Sequence, residues 1–412
     1  MLAQPEITTA DSLNLDCDIA IVGGGIVGTT LAAALKNSGL KILLIEARSQ
    51  EVARQKTQAY AFSPLSSRIY EGIGIWKNIF PHIGKYQHIN LSDADYRKQV
   101  SFDKQDLPGE HLGYVAQHNV VITALHQYLE HCPNVTWLCP GEVVDVTTEP
   151  DISTVEVKVN GERRLVRTKL VIGADGARSQ IRNLANIKTR GWKYWQSCVA
   201  FTIKHSAPDN NTAFERFWSS GPMGVLPLPG NRCQIVWTNP HAEAKALAEL
   251  GESAFLTKLK SYIPDTFGEI ELVTKRMVFP VQLMQCDRYI KPRLALIGDA
   301  AHCCHPVGGQ GLNMGIRDAA SLAQILQNAH QQGKDIGQVK VLKRYERWRK
   351  IENLAILGFT DLLDRLFSNS WLPVVAVRRM GLWAMSYLKP LKIFALRLMT
   401  GLLGRKPNLA QR

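Results

Sequence analysis

Three acids each stand beside a glycine turn at the end of an apolar run. They are Glu46 after Lys41-Ile42-Leu43-Leu44-Ile45, Asp175 within Gly173-Ala174-Asp175-Gly176, and Asp299 within Gly298-Asp299-Ala300-Ala301-His302. Carboxylates so placed accept hydrogen bonds from vicinal hydroxyls or from backbone N–H groups, and glycines beside them let a polyanion approach the main chain. Glu46 has the strongest context. Gly23-Gly24-Gly25-Ile26-Val27-Gly28 follows the apolar Ile19-Ala20-Ile21-Val22, and Glu46 comes 18 residues after Gly28. In that spacing Gly23 makes a tight turn, Gly25 leaves room for a pyrophosphate, and Gly28 lets the following helix close on the strand. Glu46 then meets both ribose hydroxyls of an adenosine and would repel a 2′-phosphate. A glycine-rich turn alone opens many helices, but strand, helix, strand and acid together make a dinucleotide-binding unit. Arg48 either lies along the adenine side or is solvated surface charge.

A second constellation runs from Leu294 to Asp318. The apolar Leu294-Ala295-Leu296-Ile297 delivers Asp299 to a position for binding ribityl or ribose hydroxyls of the same cofactor. Gly308, Gly309, Gln310, Gly311, Leu312 and Asn313 then open a helix whose N-terminus can face developing negative charge, such as the N1–C2=O locus of a reduced flavin. Pro306 gives the loop a rigid turn. His305, Pro306 and Gln310 are candidates for positioning the reacting groups. His302 and His305 could move protons or serve as structural histidines. Between these constellations Leu170-Val171-Ile172 runs into Gly173-Ala174-Asp175-Gly176-Ala177-Arg178-Ser179, where Asp175 can orient the loop by capping it and Arg178 can meet a pyrophosphate. The chain shows no nucleophile triad. Its eight cysteines show no CxxC spacing and fit a reduced, cytoplasmic setting. The adjacent Cys303 and Cys304 point different ways on any regular element, which disfavours a metal site with His302 and His305.

GGGIVG with Glu46, GADGARS at 173–179 and GDAAH…HPVGGQGLNMGIRD at 298–318 resemble, in order and separation, the three motifs of the FAD-dependent aromatic hydroxylases. These are the group A flavoprotein monooxygenases, and the resemblance covers nearly the whole chain. Within them, His305-Pro306, Gly309-Gln310-Gly311-Leu312-Asn313 and Arg317-Asp318 are similar to the ubiquinone-biosynthesis hydroxylases of the Ubi/Coq type. So are Glu215-Arg216-Phe217, Gly221-Pro222, Leu226-Pro227-Leu228 and Phe279-Pro280. The resemblance implies bound FAD, NAD(P)H or an equivalent as a transient donor, and O₂ as co-substrate. It implies hydroxylation of a lipophilic prenylated phenol through a flavin C4a-hydroperoxide, in ubiquinone- or plastoquinone-type biosynthesis and in contact with a quinone-biosynthesis complex. The chain departs from the pattern at Gln58-Ala59-Tyr60-Ala61, with Tyr60 where an Arg is expected. It departs again at Gln117-His118-Asn119, where Gln117 stands at the cofactor. Two other readings share the motifs: a flavin-dependent reductase of isoprenoid lipids, and a flavin-bound scaffold without turnover. Intact Glu46, Asp175, Asp299 and 306–315 argue against the scaffold.

These motifs need a framework to bring them together. With 412 residues, 45% of them apolar, and no clean linker, the chain is expected to interleave its domains. The expected fold is α/β: a Rossmann-like FAD-binding fold of the aromatic hydroxylase type, with an interleaved mixed β-sheet substrate domain and a helical C-terminus. Residues 1–16 read as a disordered leader, 17–187 and 282–330 as pieces of the FAD-binding domain, and 331–412 as helical. The segment 188–281 reads as strand-rich, forming a sheet over the flavin face. Phe217, Met223, Leu226 and Trp237 are candidate substrate-wall residues there, with core packing as the alternative for each.

The net charge of +13 is uneven, because residues 371–412 carry eight basic residues and no acid. Between them lie Trp371, Leu372, Trp383, Tyr387, Ile393 and Phe394. No uncharged run there is long enough to span a bilayer. The segment reads either as an interfacial element for peripheral contact with anionic lipid or as a helical pair packed on the body of the chain. Nucleic acid is disfavoured, since the charges form no stripe with a binding motif.

Overall fold

The computed structural model describes residues 16–93, 96 and 99–411. The leader expected at 1–16 lies outside the described residues except for Asp16.

The chain begins with β1 (Cys17–Val22), buried along almost its whole length as its run of Ile, Ala and Val demands. A glycine turn leads into α1 (Ile26–Ala34), and β2 (Ile42–Ile45) returns parallel to β1. After α2 (Gln50–Arg54) come β3 (Ala59–Phe62), α3 (Pro64–Ile73), α4 (Trp76–Ile79), β4 (Gly84–Tyr86), β5 (His88–Asp93), β6 (Gln99–Asp103) and β7 (Gly113–Gln117). Helix α5 (His118–Glu130) then leads to β8 (Val135–Leu138), β9 (Glu142–Thr148), β10 (Ser153–Val159) and β11 (Glu162–Gly173). The third piece of this sheet arrives much later, as β18 (Ile290–Lys291) and β19 (Leu294–Leu296), giving the order β18-β19-β11-β1-β2-β8, with β10 joined to β11 and β9 to β10. In register, Val22 lies beside Gly173 and Gly173 beside Leu296. The three glycine turns that follow β1, β11 and β19 therefore open at one carboxyl edge, the side on which α/β sheets take ligands.

The second sheet is built from α6 (Gln180–Leu184) onward: β12 (Thr189–His205), β13 (Thr212–Trp218), β14 (Gly221–Leu228), β15 (Arg232–Pro240), β16 (Ile270–Leu272), β17 (Met277–Cys286) and β20 (His302–Cys303). Its order is β20-β17-β12-β15-β14-β13-β5-β6, so β5 and β6, drawn from the first chain segment, extend the sheet expected for 188–281. Helices α7 (His241–Glu249) and α8 (Glu252–Lys260) cover one face, where Ala244, Leu247, Phe255 and Leu259 bury Phe201, Met223 and Trp237. A small sheet, β3-β7-β4, fills the corner between the two large ones.

Four helices complete the chain: α9 (Gln310–Gln331), α10 (Val339–Phe367), α11 (Leu372–Tyr387) and α12 (Lys389–Met399). Helix α9 packs on α1 and α10 packs on α9. The α11–α12 pair is pinned to the second sheet by Arg378, whose guanidinium donates to both oxygens of Asp93 at 2.8 and 3.1 Å, and by Lys392, 2.7 Å from Asp106. No helix among the described residues is long and apolar enough to cross a membrane.

Candidate active site

At the end of β2 the Glu46 carboxylate accepts hydrogen bonds from the backbone N–H of Gly24 at 2.8 Å and of Arg48 at 3.0 Å. That fixes the acid against the first glycine turn. A side chain at Gly28 would put its Cβ 2.0 Å from the Gly23 carbonyl oxygen, so α1 can start this close to β1 only with glycine there. A Cβ at Gly25 would meet nothing within 4 Å, and α1 has no side-chain cap. Its first N–H groups are thus left for an anion. The Arg48 side chain is exposed and lies 3.8 Å from Glu46.

Asp175 uses its carboxylate on its own loop, accepting from Ser179 Oγ at 2.5 Å and from the N–H groups of Gln180 and Ile181 at 2.7 and 3.0 Å. It caps α6 and holds Ala174 and Gly176 at the wall of a cavity of about 500 Å³. Asp299 faces that cavity directly, and its carboxylate has no hydrogen-bond partner among the described residues. The enclosing protein pushes its pKa up, an effect only partly offset by nearby His302.

The loop before α9 is held from three sides. Gly308 and Gly309 both adopt left-handed backbone, with φ of 65° and 60°. A Cβ on Gly308 would strike Met399 of α12, and one on Gly309 would strike Ala61 of β3. Asn313 clasps the loop to β3: its amide donates to the Ala61 and Gly309 carbonyls at 2.8 Å each, and its oxygen accepts from Ser63 N–H at 2.8 Å and Ser66 Oγ at 2.7 Å. Gln310 donates to the Gly308 carbonyl at 2.8 Å and accepts from Arg317 at 3.2 Å. Pro306, Gly309, Gln310, Gly311, Leu312 and Asn313 all border the cavity, and the uncapped N-terminus of α9 opens onto it.

Neither candidate histidine borders the cavity. His305 is fully buried behind Pro306. Its Nδ1 accepts from Val307 N–H at 3.3 Å, so Nε2 carries the proton, and it lies 3.4 Å from both Gln196 Oε1 and Asp364 Oδ1. Burial drives its pKa down to about 3, and the neutral ring sets the course of the loop without meeting a substrate. His302 is buried against Asp318 at 2.6 Å. Gln117 likewise stands outside the wall, donating to the Thr57 carbonyl at 3.3 Å, while its neighbours Gln58 and His118 face in. Tyr60 borders the cavity, its hydroxyl pKa raised to about 12 by burial and then by the Asp299 charge.

Of the four substrate-wall candidates, Phe217 and Leu226 line the cavity. The expectation for Met223 and Trp237 is corrected. They sit opposite each other in the β14–β15 register, next to the pair Gly224 and Val236, and side chains alternate across a sheet. Gly224, Leu226, Val236 and Thr238 therefore face the cavity, while Met223 and Trp237 face α7 and α8, with the Trp237 ring centroid 4.6 Å from that of Tyr262. The cavity wall also includes Leu91 of β5, Phe102 of β6, Leu363 of α10, Met385 of α11 and Leu396 of α12, and nothing in the sequence of α10 to α12 marked the last three as wall residues.

Glu215 is marked in the sequence only within the Glu215-Arg216-Phe217 resemblance and is assigned no role there. It lies on β13, two residues from the inward-facing Phe217, and its carboxylate faces the cavity beside the Gly308 N–H. Burial pushes its pKa up to about 7, and the Gly308 N–H partly opposes that. Its parity with Phe217 was the available signal.

Glu46 and Asp299 mark two ends of a glycine-lined cleft with the uncapped N-termini of α1 and α9 along it. That donor set fits a long dinucleotide carrying diols at both ends and a pyrophosphate between them, as FAD does. The FAD binding domain family matches residues 16–356. The ubiquinone hydroxylase UbiL of Rhodospirillum rubrum is 34% identical, over 95% of this chain and 91% of its own length. An uncharacterized protein of Synechocystis sp., slr1300, is 57% identical over 95% of both chains. Among solved structures, p-nitrophenol 4-monooxygenase PnpA from Pseudomonas putida shares the fold at a TM-score of 0.79 and 20% identity, over 94% of this chain and 98% of that one. The chain belongs to the FAD-dependent aromatic hydroxylases, in the branch that includes the ubiquinone-biosynthesis monooxygenases, and FAD is its cofactor.

Proposed function

We propose that this enzyme hydroxylates the aromatic ring of a polyprenylated phenol or quinol in isoprenoid-quinone biosynthesis, with NAD(P)H or an equivalent donor. The observation that carries the reading is the continuity of the cavity. One volume joins the Asp299 and α9 end to a wall of Phe217, Leu226, Leu91, Phe102, Leu363 and Met385. A single cavity whose wall combines a few polar groups with a broad apolar surface suits a phenol with a prenyl tail. The name of the UbiL relative points the same way.

Bound FAD would be held by Glu46, the turn at Gly23 to Gly28, Asp299 and the α9 N-terminus, and it supplies electron transfer and O₂ activation. The protein's own part is to exclude water and to hold the ring. Asn313 and His305 keep the 306–309 loop in place, and Pro306 with Val307 forms a dry floor.

The tail of the substrate and the outside of the α11–α12 pair belong together in this reading. Trp371, Leu372, Met380, Trp383, Tyr387 and Phe394 are exposed on the outer surface, while Met385, Leu396 and Met399 of the same helices wall the cavity. Arg378 and Lys392 turn inward to Asp93 and Asp106, while the exposed Lys389, Arg397 and Arg405, with no acid in 371–412, give the outer surface a charge that suits an anionic lipid headgroup layer. The enzyme then works as a peripheral protein at the bilayer that holds its substrate.

The test is turnover of a geranylated phenol by the holoenzyme with NADPH under ¹⁸O₂. One labelled oxygen in the ring, and the other lost as water, supports the reading. Donor consumption that yields a saturated prenyl tail and no label would establish a reductase instead.

A further inference from the structure

The cavity wall holds two carboxylates, and they face opposite ends of the chemistry. Asp299 belongs to the cofactor cradle at the end of β19. Glu215 belongs to the substrate-side sheet. Across the β13–β14 register it lies opposite Gly224, whose missing side chain leaves the carboxylate open to the cavity, 3.6 Å from where a Cβ would stand. Phe217, Leu226 and Pro306 around it are apolar, and the Gly308 N–H faces it from the loop that leads into α9.

We propose that Glu215 is a catalytic residue that accepts the proton of the substrate's phenolic hydroxyl. This rests on the reading of the cavity as the site of a prenylated phenol. An acid held among apolar side chains at the wall of a substrate cavity has little structural reason to be there. As the reaction proceeds, the phenol O–H bond breaks and its proton passes to the Glu215 carboxylate. The electron pair left on oxygen raises electron density at the ring carbon that takes up one oxygen atom from O₂. When the ring regains aromaticity, the hydrogen on that carbon leaves as a proton, and Glu215 returns its proton to the phenolate oxygen. The second oxygen atom leaves as water, reduced by the two electrons of the nicotinamide donor. Glu215 ends as it began.

The pKa near 7 suits a base working at neutral pH. The charge of Glu215 acts on Tyr86 from β4 and Cys198 from β12, and Tyr60, His118, Asp299, Cys303 and Cys304 share the cavity wall with it. Burial raises the pKa values of Tyr86 and Cys198, so both stay neutral at pH 7, where Glu215 titrates.

The experiment compares wild type with Glu215→Gln, which retains an oxygen for the Gly308 N–H, both as holoenzymes with FAD content checked by absorbance. Binding of 2-geranylphenol is followed by calorimetry at pH 7 in buffers of different ionisation enthalpy. Turnover under ¹⁸O₂ is followed from pH 5.5 to 8.5. A phenol O–H donated to the carboxylate favours its charged form, so the wild type should release a fraction of a proton on binding and the variant none. The wild-type kcat/KM, which reports the free enzyme, should rise with pH through about 7, whereas the variant should lose that step and be slower by about 100-fold at its plateau. Equal rates and pH profiles, or equal proton release, would overturn the role of Glu215. Proton release that depends on Glu215, in a wild type that makes no labelled product, would uphold the contact with the phenol and overturn the hydroxylase reading.

Discussion

The Nε2 of His302 lies 2.6 Å from Oδ2 of Asp318, with both side chains fully buried between the third glycine turn and α9. Asp318 also accepts from Arg349 Nε at 2.8 Å and from the Gly298 N–H at 3.1 Å, so one carboxylate joins the turn that carries Asp299 to α10. Burial alone would raise its pKa, but the contacts with His302 and Arg349 outweigh burial and hold it well below the ordinary carboxylate range. A lowered folded-state pKa gives stability that is fully present above the unfolded value near 4 and is lost as pH falls below it. Asp318→Asn should therefore cost about 3 kcal/mol in urea unfolding at pH 7, because Arg349 loses the fully buried one of its two carboxylate partners and keeps only Glu352. The difference from wild type should shrink as the pH is taken down to about 3.

Asp299→Ala should weaken FAD binding at least ~10-fold, the value of a hydrogen bond to a charged group. The apoprotein should be no less stable, since the substitution removes an acid whose charged form burial disfavours. Titration of the apoprotein with FAD and a thermal melt check both halves. Unchanged FAD affinity would remove Asp299 from the cofactor site.

Gly28→Ala places a methyl carbon against the Gly23 carbonyl. The helix must move away from β1, which should cost about 1–3 kcal/mol and release FAD together with the fold of the turn. Gly25→Ala has open space and should keep the stability while lowering FAD affinity. Parallel urea melts and FAD titrations of the two variants separate packing from binding.

Leu226 and Trp237 lie on opposite faces of one sheet and should answer differently. Leu226→Trp fills the cavity and should raise KM for a geranylated phenol with little change in stability. Trp237→Ala should cost about 3–5 kcal/mol and leave KM near the wild-type value, because its ring packs on Phe255 and Tyr262.

Trp383→Asp with Phe394→Asp should abolish binding to vesicles containing anionic lipid, as measured by flotation, while turnover of a short-tailed phenol in solution persists. Both side chains are about half exposed, at 48% and 57%, so folding should tolerate the change. Vesicle binding that survives would leave the α11–α12 pair with a packing role alone.

What could be read in advance follows the range of the interactions. The turns at Gly23, Gly173 and Gly298 are local events, each set by an apolar strand and a few glycines, and sequence alone is enough to find them. The faces of β14 and β15 are not local. Whether Met223 or Gly224 points inward depends on the pairing with β15 and on which side α7 and α8 cover, and neither is written in the alternation itself. For the same reason the motif Glu215-Arg216-Phe217 suggested no role for Glu215, since an acid in a strand is ordinarily turned to solvent. His305 misled in the opposite direction. Its neighbours in sequence border the cavity, but its ring turns back to bond Val307 N–H. The closure of the cavity by Leu363, Met385 and Leu396 depends on how three helices return across the second sheet, a tertiary event that amphipathic patterning does not specify.

The adjacency of β1, β11 and β19 also has a temporal side. The strands that share the cofactor edge are made early, midway and late in synthesis, with Leu294 as the first residue of the last of them. A ribosome adding about 5–20 residues per second needs roughly 15 seconds or more to pass from the first to the third. From the completion of β11 at Gly173 until β19 is made, β11 carries an unsatisfied edge on the side that β19 will take, a surface open to chaperones and to aggregation. FAD can be captured only near the end of translation. A premature stop before Leu294 should thus yield an insoluble chain, because its folding cannot be rescued by added cofactor.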